Sequence, residues 1–97
     1  MNSKCPVLGP KCDLCDCTGR RCSEMFPGLK VEWPELRGVS GVEAKMIIER
    51  ENPKVVAFIY PEGLFYLPEV MCCNRVLLYV PADNCPNGPV INSPFVG

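Results

Sequence analysis

Residues 55–80 read VVAFIYPEGLFYLPEVMCCNRVLLYV, and the fold turns on how that stretch divides. VVAFIY (55–60) and RVLLYV (75–80) are near-continuous apolar runs of strand length, the pattern of buried central strands rather than edges. The residues between them include Pro61, Gly63 and Pro68, which mark a loop. No helix lies between the two runs, yet the loop is long enough to serve a parallel crossover. A long loop constrained on a small scaffold is a surface for a partner to grip. Its far end carries Cys72, Cys73 and Arg75.

Upstream, Ser40 followed three residues later by Glu43 has the form of a capping box. The spacing predicts a helix through VEAKMIIEREN to about Asn52, where Pro53 forbids continuation. Val42, Met46 and Ile47, with Val39 just ahead, are expected on its buried face, and Lys45, Glu49 and Arg50 in water. Trp33, near Leu36, reads as the largest buried anchor of the core. Downstream, PADNCPNGP (81–89) is a wide turn. Val90-Ile91-Asn92 is expected to return as a short antiparallel edge strand that Pro94 ends. Residues 29–97 therefore read as one compact α+β unit.

The chain divides near Pro27-Gly28. Residues 1–28 hold Cys5, Cys12, Cys15, Cys17 and Cys22 with almost no periodic apolar pattern. Such a segment cannot bury a core and is expected to be irregular, tied down by disulfides. Cys72, Cys73 and Cys85 complete the set of eight cysteines in 97 residues. A core this small is marginal, and an even cysteine count in a short chain points to a disulfide framework and a secreted, extracellular protein. The start Met1-Asn2-Ser3-Lys4 has no apolar stretch behind it and reads as a mature form. Cys12-x-x-Cys15-x-Cys17 also has the spacing of a thiolate metal site. With the other cysteines and no other soft ligand nearby, the disulfide reading is preferred, and neither metal nor cofactor is expected.

Ten basic and eleven acidic residues leave a net charge of −1. No basic patch for nucleic acid and no polybasic membrane site result, and no apolar run approaches the roughly 20 residues of a membrane span. The absence of histidine removes Ser-His and Cys-His nucleophile pairs. The carboxylates are scattered, so an enzyme is not expected. The chain is expected to act as a monomer.

Several segments resemble the potato inhibitor I family of eglin-like serine protease inhibitors. They are Trp33-Pro34-Glu35-Leu36 with Gly38, Ala44-Lys45, Ile47-Ile48, Pro61-Glu62-Gly63, Cys73-Asn74-Arg75-Val76 and Pro94-Phe95-Val96-Gly97. They fall in the family's order over residues 30–97, while the first 28 residues have no counterpart. The resemblance implies one helix on a small mixed β-sheet, with an extended protease-binding loop between two parallel strands. It implies inhibition of a serine protease by the substrate-like mechanism. A loop already in its bound shape has little entropy left to lose, and slow cleavage is reversed because the leaving amine stays in place.

Aligned back from Asn74-Arg75-Val76, the resemblance puts P1 at Glu69 and P1′ at Val70. Leu67 and Pro68 become P3 and P2, and Met71 becomes P2′. Arg75 matches a family arginine that supports the loop from below. Cys73 matches a cysteine that in some plant members pairs with one shortly before the Trp, for which Cys22 is the nearest candidate. The sequence also departs from the family pattern. The loop is about one residue longer, so alignment from the left moves P1 to Pro68. Leu77 replaces a second supporting arginine, and Pro68 and Val70 replace the residues that accept its hydrogen bonds. Cys72 and Cys73, which do not pair easily with each other, are candidates to pin the loop base to the N-terminal segment instead. An acidic P1 is rejected by a trypsin-like pocket and is costly to desolvate in a deep apolar one. The implied targets are glutamate-accepting or broad-pocket subtilisin-like proteases. Chymotrypsin-like targets follow if Leu67 or Met71 is P1. The alternative is a non-inhibitory disulfide-rich binding module on the same fold, with Leu64-Phe65-Tyr66-Leu67 as its apolar anchor.

Overall fold

The computed structural model describes Cys5 and residues 22–63 and 73–97; side chains are described from Glu24 onward in the first of these runs. Among the described residues the regular elements are one helix, α1 (Gly41–Glu51), and two strands, β1 (Val56–Pro61) and β2 (Arg75–Val80). Short 3-10 turns occupy Cys22–Met25, Pro34–Leu36 and Ala82–Asn84. The strands pair in parallel, from Val56↔Arg75 to Pro61↔Val80.

α1 begins where Ser40 and Glu43 suggest, but not by the means they suggest. Ser40 is the N-cap and its side chain makes no capping bond. The Gly41 N–H, one of the first-turn donors that have no partner within the helix, donates to the Gly88 carbonyl of the wide turn (2.8 Å). The helix ends at Glu51, with Asn52 as its C-cap.

The fully buried face of α1 is Gly41, Ala44 and Ile48; of the expected residues, Val39 and Ile47 pack against the core, and Val42 and Met46 do not. Met46 is 63% exposed and Val42 37%; Ile47 is half-buried. The cause is close approach. A Cβ on Gly41 would lie 2.5 Å from the Pro86 carbonyl oxygen and 2.9 Å from Val80 Cγ1. Small residues let the helix lie down on the sheet, and Val42 and Met46 are turned outward. Ala44 and Ile48 meet Ala57, Ile59, Val76, Leu78 and Val80 in a fully buried layer. The opposite sheet face is only partly covered: Phe58, Leu77 and Tyr79 are half-buried, and the Tyr60 and Tyr79 rings lie 6.3 Å apart. The strands are thus sealed on one face rather than two, because a single helix covers the sheet.

Both outer edges of this two-stranded sheet are closed by side chains. On β1, the Ala57 N–H donates to Glu49 Oε2 (2.9 Å) and the Ala57 carbonyl accepts from Lys45 Nζ (2.7 Å). Lys45 and Glu49 also pair with each other at 2.6 Å. Two of the three residues expected in water, Lys45 and Glu49, are the β1 edge caps, while Arg50 is exposed as expected. On β2, the Asn92 side-chain amide accepts from the Tyr79 N–H (2.9 Å) and donates to the Leu77 carbonyl (2.8 Å). The Ile91 N–H donates to the Tyr79 carbonyl (2.7 Å). The expected 90–92 strand is therefore not formed. A single side-chain amide occupies the ladder position, and the chain around it is free to bulge, joining the fold by isolated antiparallel bridges at Ser40↔Pro89 and Val76↔Val96.

Trp33 is fully buried, as expected, and links the two sides. Its backbone N–H donates to the Pro94 carbonyl (2.8 Å) and its indole N–H to Glu51 Oε1 (2.9 Å). Lys30 lies 3.5 Å from Glu51 and forms an ion pair with Glu35 at the surface. The hydrogen bond from Lys30 holds the Glu35 carboxyl below its ordinary pKa, and the same bond raises that of the Lys30 amine. Phe26, just before Pro27-Gly28, also joins the core.

Candidate functional site

The two ends of the connection between β1 and β2 are both described. β1 ends at Pro61, paired with Val80, whereas β2 begins at Arg75, paired with Val56. Parallel pairing therefore puts the start and finish of the connection at opposite ends of the sheet. Five strand steps at about 3.3 Å each separate them by roughly 17 Å. The departing end is turned by Gly63, whose φ of +94° suits only glycine. It is held by the Glu62 N–H, which donates to the Val80 carbonyl (2.6 Å).

The returning end is anchored more heavily. Cys73 is fully buried and disulfide-bonded. The Asn74 carbonyl accepts from the Val56 N–H (2.9 Å). Arg75 is buried although it is a cation, being 4% exposed. Its Nε–H donates to the Gly97 carbonyl (3.3 Å), and the Gly97 N–H donates back to the Arg75 carbonyl (2.9 Å). Main chain and side chain of Arg75 are thus both tied to one residue of the C-terminal segment.

Of the residues singled out in the sequence, Arg75 and Cys73 are brought together at this base. Leu67, Pro68, Glu69, Val70, Met71 and Cys72 lie outside the described residues, as do Cys12, Cys15 and Cys17 and the side chain of Cys22. Cys85 pairs with Cys5, with Cα atoms 5.8 Å apart and 80 residues between them in sequence. That bond ties the N-terminal segment to the turn after β2. Leu77, which stands where a second arginine was expected, lines an open groove of about 360 Å³ with Tyr79, Asn92, Ser93, Phe95 and Gly97. The polar support that an arginine gives is there an apolar surface. Among the described residues no group of His, Cys, Asp or Glu is placed to hold a metal, and no helix is long and apolar enough to cross a membrane. Asn92 and Gly97, which hold the base, enter the sequence reading only as part of the expected 90–92 strand and of the family-like segment 94–97, not as site residues. Nothing in periodicity marks a side-chain amide or a Gly as a bonding partner.

One helix on a parallel strand pair, with a long connection fixed at both ends, is the architecture of a small protein inhibitor. A model of the potato inhibitor I family matches residues 25–97, beginning beside the core residue Phe26. The chain is 44% identical over 71 residues to the inhibitor of trypsin and Hageman factor of Cucurbita maxima, spanning 73% of this chain and 96% of that protein. It is 38% identical over 68 residues to the Glu S. griseus protease inhibitor of Momordica charantia, spanning 70% of this chain and 93% of that one. Its fold is similar to the crystal structure of bitter gourd trypsin inhibitor, with a TM-score of 0.62 and 36% identity over 80% of this chain and 100% of that chain. The chain belongs to the potato inhibitor I family; it is a protease inhibitor and not an enzyme.

Proposed function

We propose that this protein inhibits serine endopeptidases that accept glutamate at P1, presenting Glu69-Val70 as the scissile pair. The anchored return of the connection, with Cys73 buried and Arg75 tied twice to Gly97, is the observation that carries this reading. A substrate becomes an inhibitor when its cleaved ends stay in place. Cleavage at Glu69-Val70 leaves the new amine on the Val70 side, three residues from a covalent tie at Cys73 that lets it re-form the bond. Leu67 and Pro68 fill the subsites before the bond and Met71 one after it. The name of the 38%-identical Glu S. griseus protease inhibitor supports the acidic P1. Broad-pocket subtilisin-like enzymes are the second target class, drawing affinity from the residues around P1.

The protein works outside the cell as a monomer, with residues 1–28 as a cysteine-rich segment pinned to the inhibitory domain, residues 29–97. The Cys5–Cys85 bond supports an oxidising compartment. The test is a panel of glutamate-specific endopeptidase, subtilisin, chymotrypsin and trypsin against the oxidised protein and Glu69→Lys. Loss of the glutamate-specific inhibition and gain of trypsin inhibition in Glu69→Lys support P1 at Glu69. An unchanged profile moves P1 elsewhere. No inhibition of any enzyme by the parent favours a binding module.

A further inference from the structure

We infer that Asn92 is a positioning residue for the inhibitory loop, acting through the outer edge of β2 on Arg75. The inference rests on the inhibitory reading above. Along that edge the backbone presents the Arg75 carbonyl, the Leu77 carbonyl, and the Tyr79 N–H and carbonyl. Each is met by the segment 91–97: Gly97 N–H on Arg75, Asn92 on Leu77 and Tyr79, and Ile91 N–H on Tyr79. A primary amide presents an N–H donor and a carbonyl acceptor side by side, as a strand residue does, with a second N–H to spare. Asn92 thus replaces one strand residue with its side chain, and its own backbone is released from the ladder.

That release is what the base of the loop needs. The chain leaves the β2 edge after Asn92 and buries Pro94, whose carbonyl takes the Trp33 N–H. It then returns to β2 at the Val76↔Val96 bridge, which sets the Gly97 carbonyl on Arg75 Nε. A regular strand from 91 to 97 has no room for this excursion to Trp33. Without the amide, the excursion has no fixed start, and the placement of Gly97 on Arg75 loosens. Arg75 opens the strand that receives the loop, so the loss reaches P1 through the shortest path of chain. The Lys45–Glu49 pair closes the other edge of the sheet at Ala57, and its bonds there go neither to Arg75 nor to the segment 91–97 that places Gly97.

The experiment compares Asn92→Ala with Glu49→Gln in the full oxidised chain, with Asn92→Asp as a milder variant that keeps the acceptor for Tyr79. Three quantities are read: melting temperature, inhibition constant against the enzyme the parent inhibits best, and exchange of the Arg75 Nε proton by NMR. The expected result is a roughly tenfold weaker inhibition constant for Asn92→Ala, the effect of about one lost hydrogen bond reaching the loop. Faster Arg75 Nε exchange accompanies it, and Asn92→Asp lies between. Glu49→Gln lowers the melting temperature with neither change. If Asn92→Ala melts lower but keeps the inhibition constant and the slow Arg75 proton, the residue is structural only and the inference is overturned. If the parent inhibits nothing, the inhibitory reading fails. The exchange measurement then decides the coupling alone: unchanged Arg75 exchange overturns it, and faster exchange upholds it.

Discussion

The two edges of the sheet solve one problem with different chemistry. A strand edge is a row of unpaired N–H and carbonyl groups that must be paired or covered. At β1 the cover is ionic and local: Lys45 and Glu49, one helical turn apart, hold both backbone groups of Ala57. At β2 it is neutral and long-range: Asn92 and the tail behind it hold Leu77, Tyr79 and Arg75. The difference follows what each edge is for. β1 needs only to be closed, and a pair of helix side chains closes it. β2 begins at Arg75, where the connection from β1 returns, and its cover also carries Gly97 to Arg75. Both edges stabilise the fold; in our proposal the β2 edge also aligns the base of the inhibitory loop.

Removing the core anchor common to both edges has the largest expected effect. Trp33→Ala removes the fully buried ring whose indole N–H holds Glu51 at the end of α1, while the backbone bond to Pro94 remains. Deleting a buried Trp costs about 3–5 kcal/mol, a large share of the stability of so small a domain. Chemical denaturation should show a large fall in midpoint, with inhibition lost wherever the fold is lost. Asn92→Ala comes next. It leaves the Tyr79 N–H and Leu77 carbonyl without their partner, at about 1–3 kcal/mol for each such group that stays buried. Denaturation and inhibition should worsen together. Glu49→Ala is smaller. The Ala57 N–H and Lys45 both lose a partner at a site reached by water, so a cost of about 1 kcal/mol is expected. Inhibition by the folded fraction should not change, and weaker inhibition would erase the contrast between the edges.

The smallest effect is at the exposed Lys30–Glu35 pair. The folded pKa of Glu35 is depressed, so its contribution is present above the unfolded value and is lost as pH falls through the folded one. The folded pKa of Lys30 is raised, so its contribution is present below the unfolded value and is lost as pH rises through the folded one. Both therefore operate around neutral pH and fade at either extreme. Thermal melts of the parent and Lys30→Ala should differ slightly at about pH 7 and converge near pH 3, with added salt shrinking the difference.

Much of this architecture is legible in the sequence because large apolar side chains and chain breakers write it. The two runs flanking the loop become β1 and β2, and Ser40 and Pro53 bracket α1. Trp33 is the buried anchor, and the Trp33-Pro34-Glu35-Leu36 and Asn74-Arg75-Val76 segments identify the family. What escapes is written in small or polar residues. Gly41 and Ala44 set the helix face by permitting close approach, so a reading weighted toward Val42 and Met46 chooses the wrong side. Lys45, Glu49 and Asn92 act as ladder partners through their side chains, which leaves no alternation to detect. A capping box requires no neighbour, yet Ser40 makes no capping bond and the first-turn bond that is seen runs from Gly41 to the distant Gly88. The Cys5–Cys85 pairing joins residues 80 apart in sequence and depends on the folded path alone.

The most direct test of the central claim is to hold the oxidised protein with a glutamate-specific serine endopeptidase until equilibrium and map every cleaved bond by mass spectrometry. The account predicts tight inhibition, with intact protein persisting beside a single form nicked after Glu69. Progressive cleavage at several bonds, or enzyme activity unaffected by the protein, would contradict it.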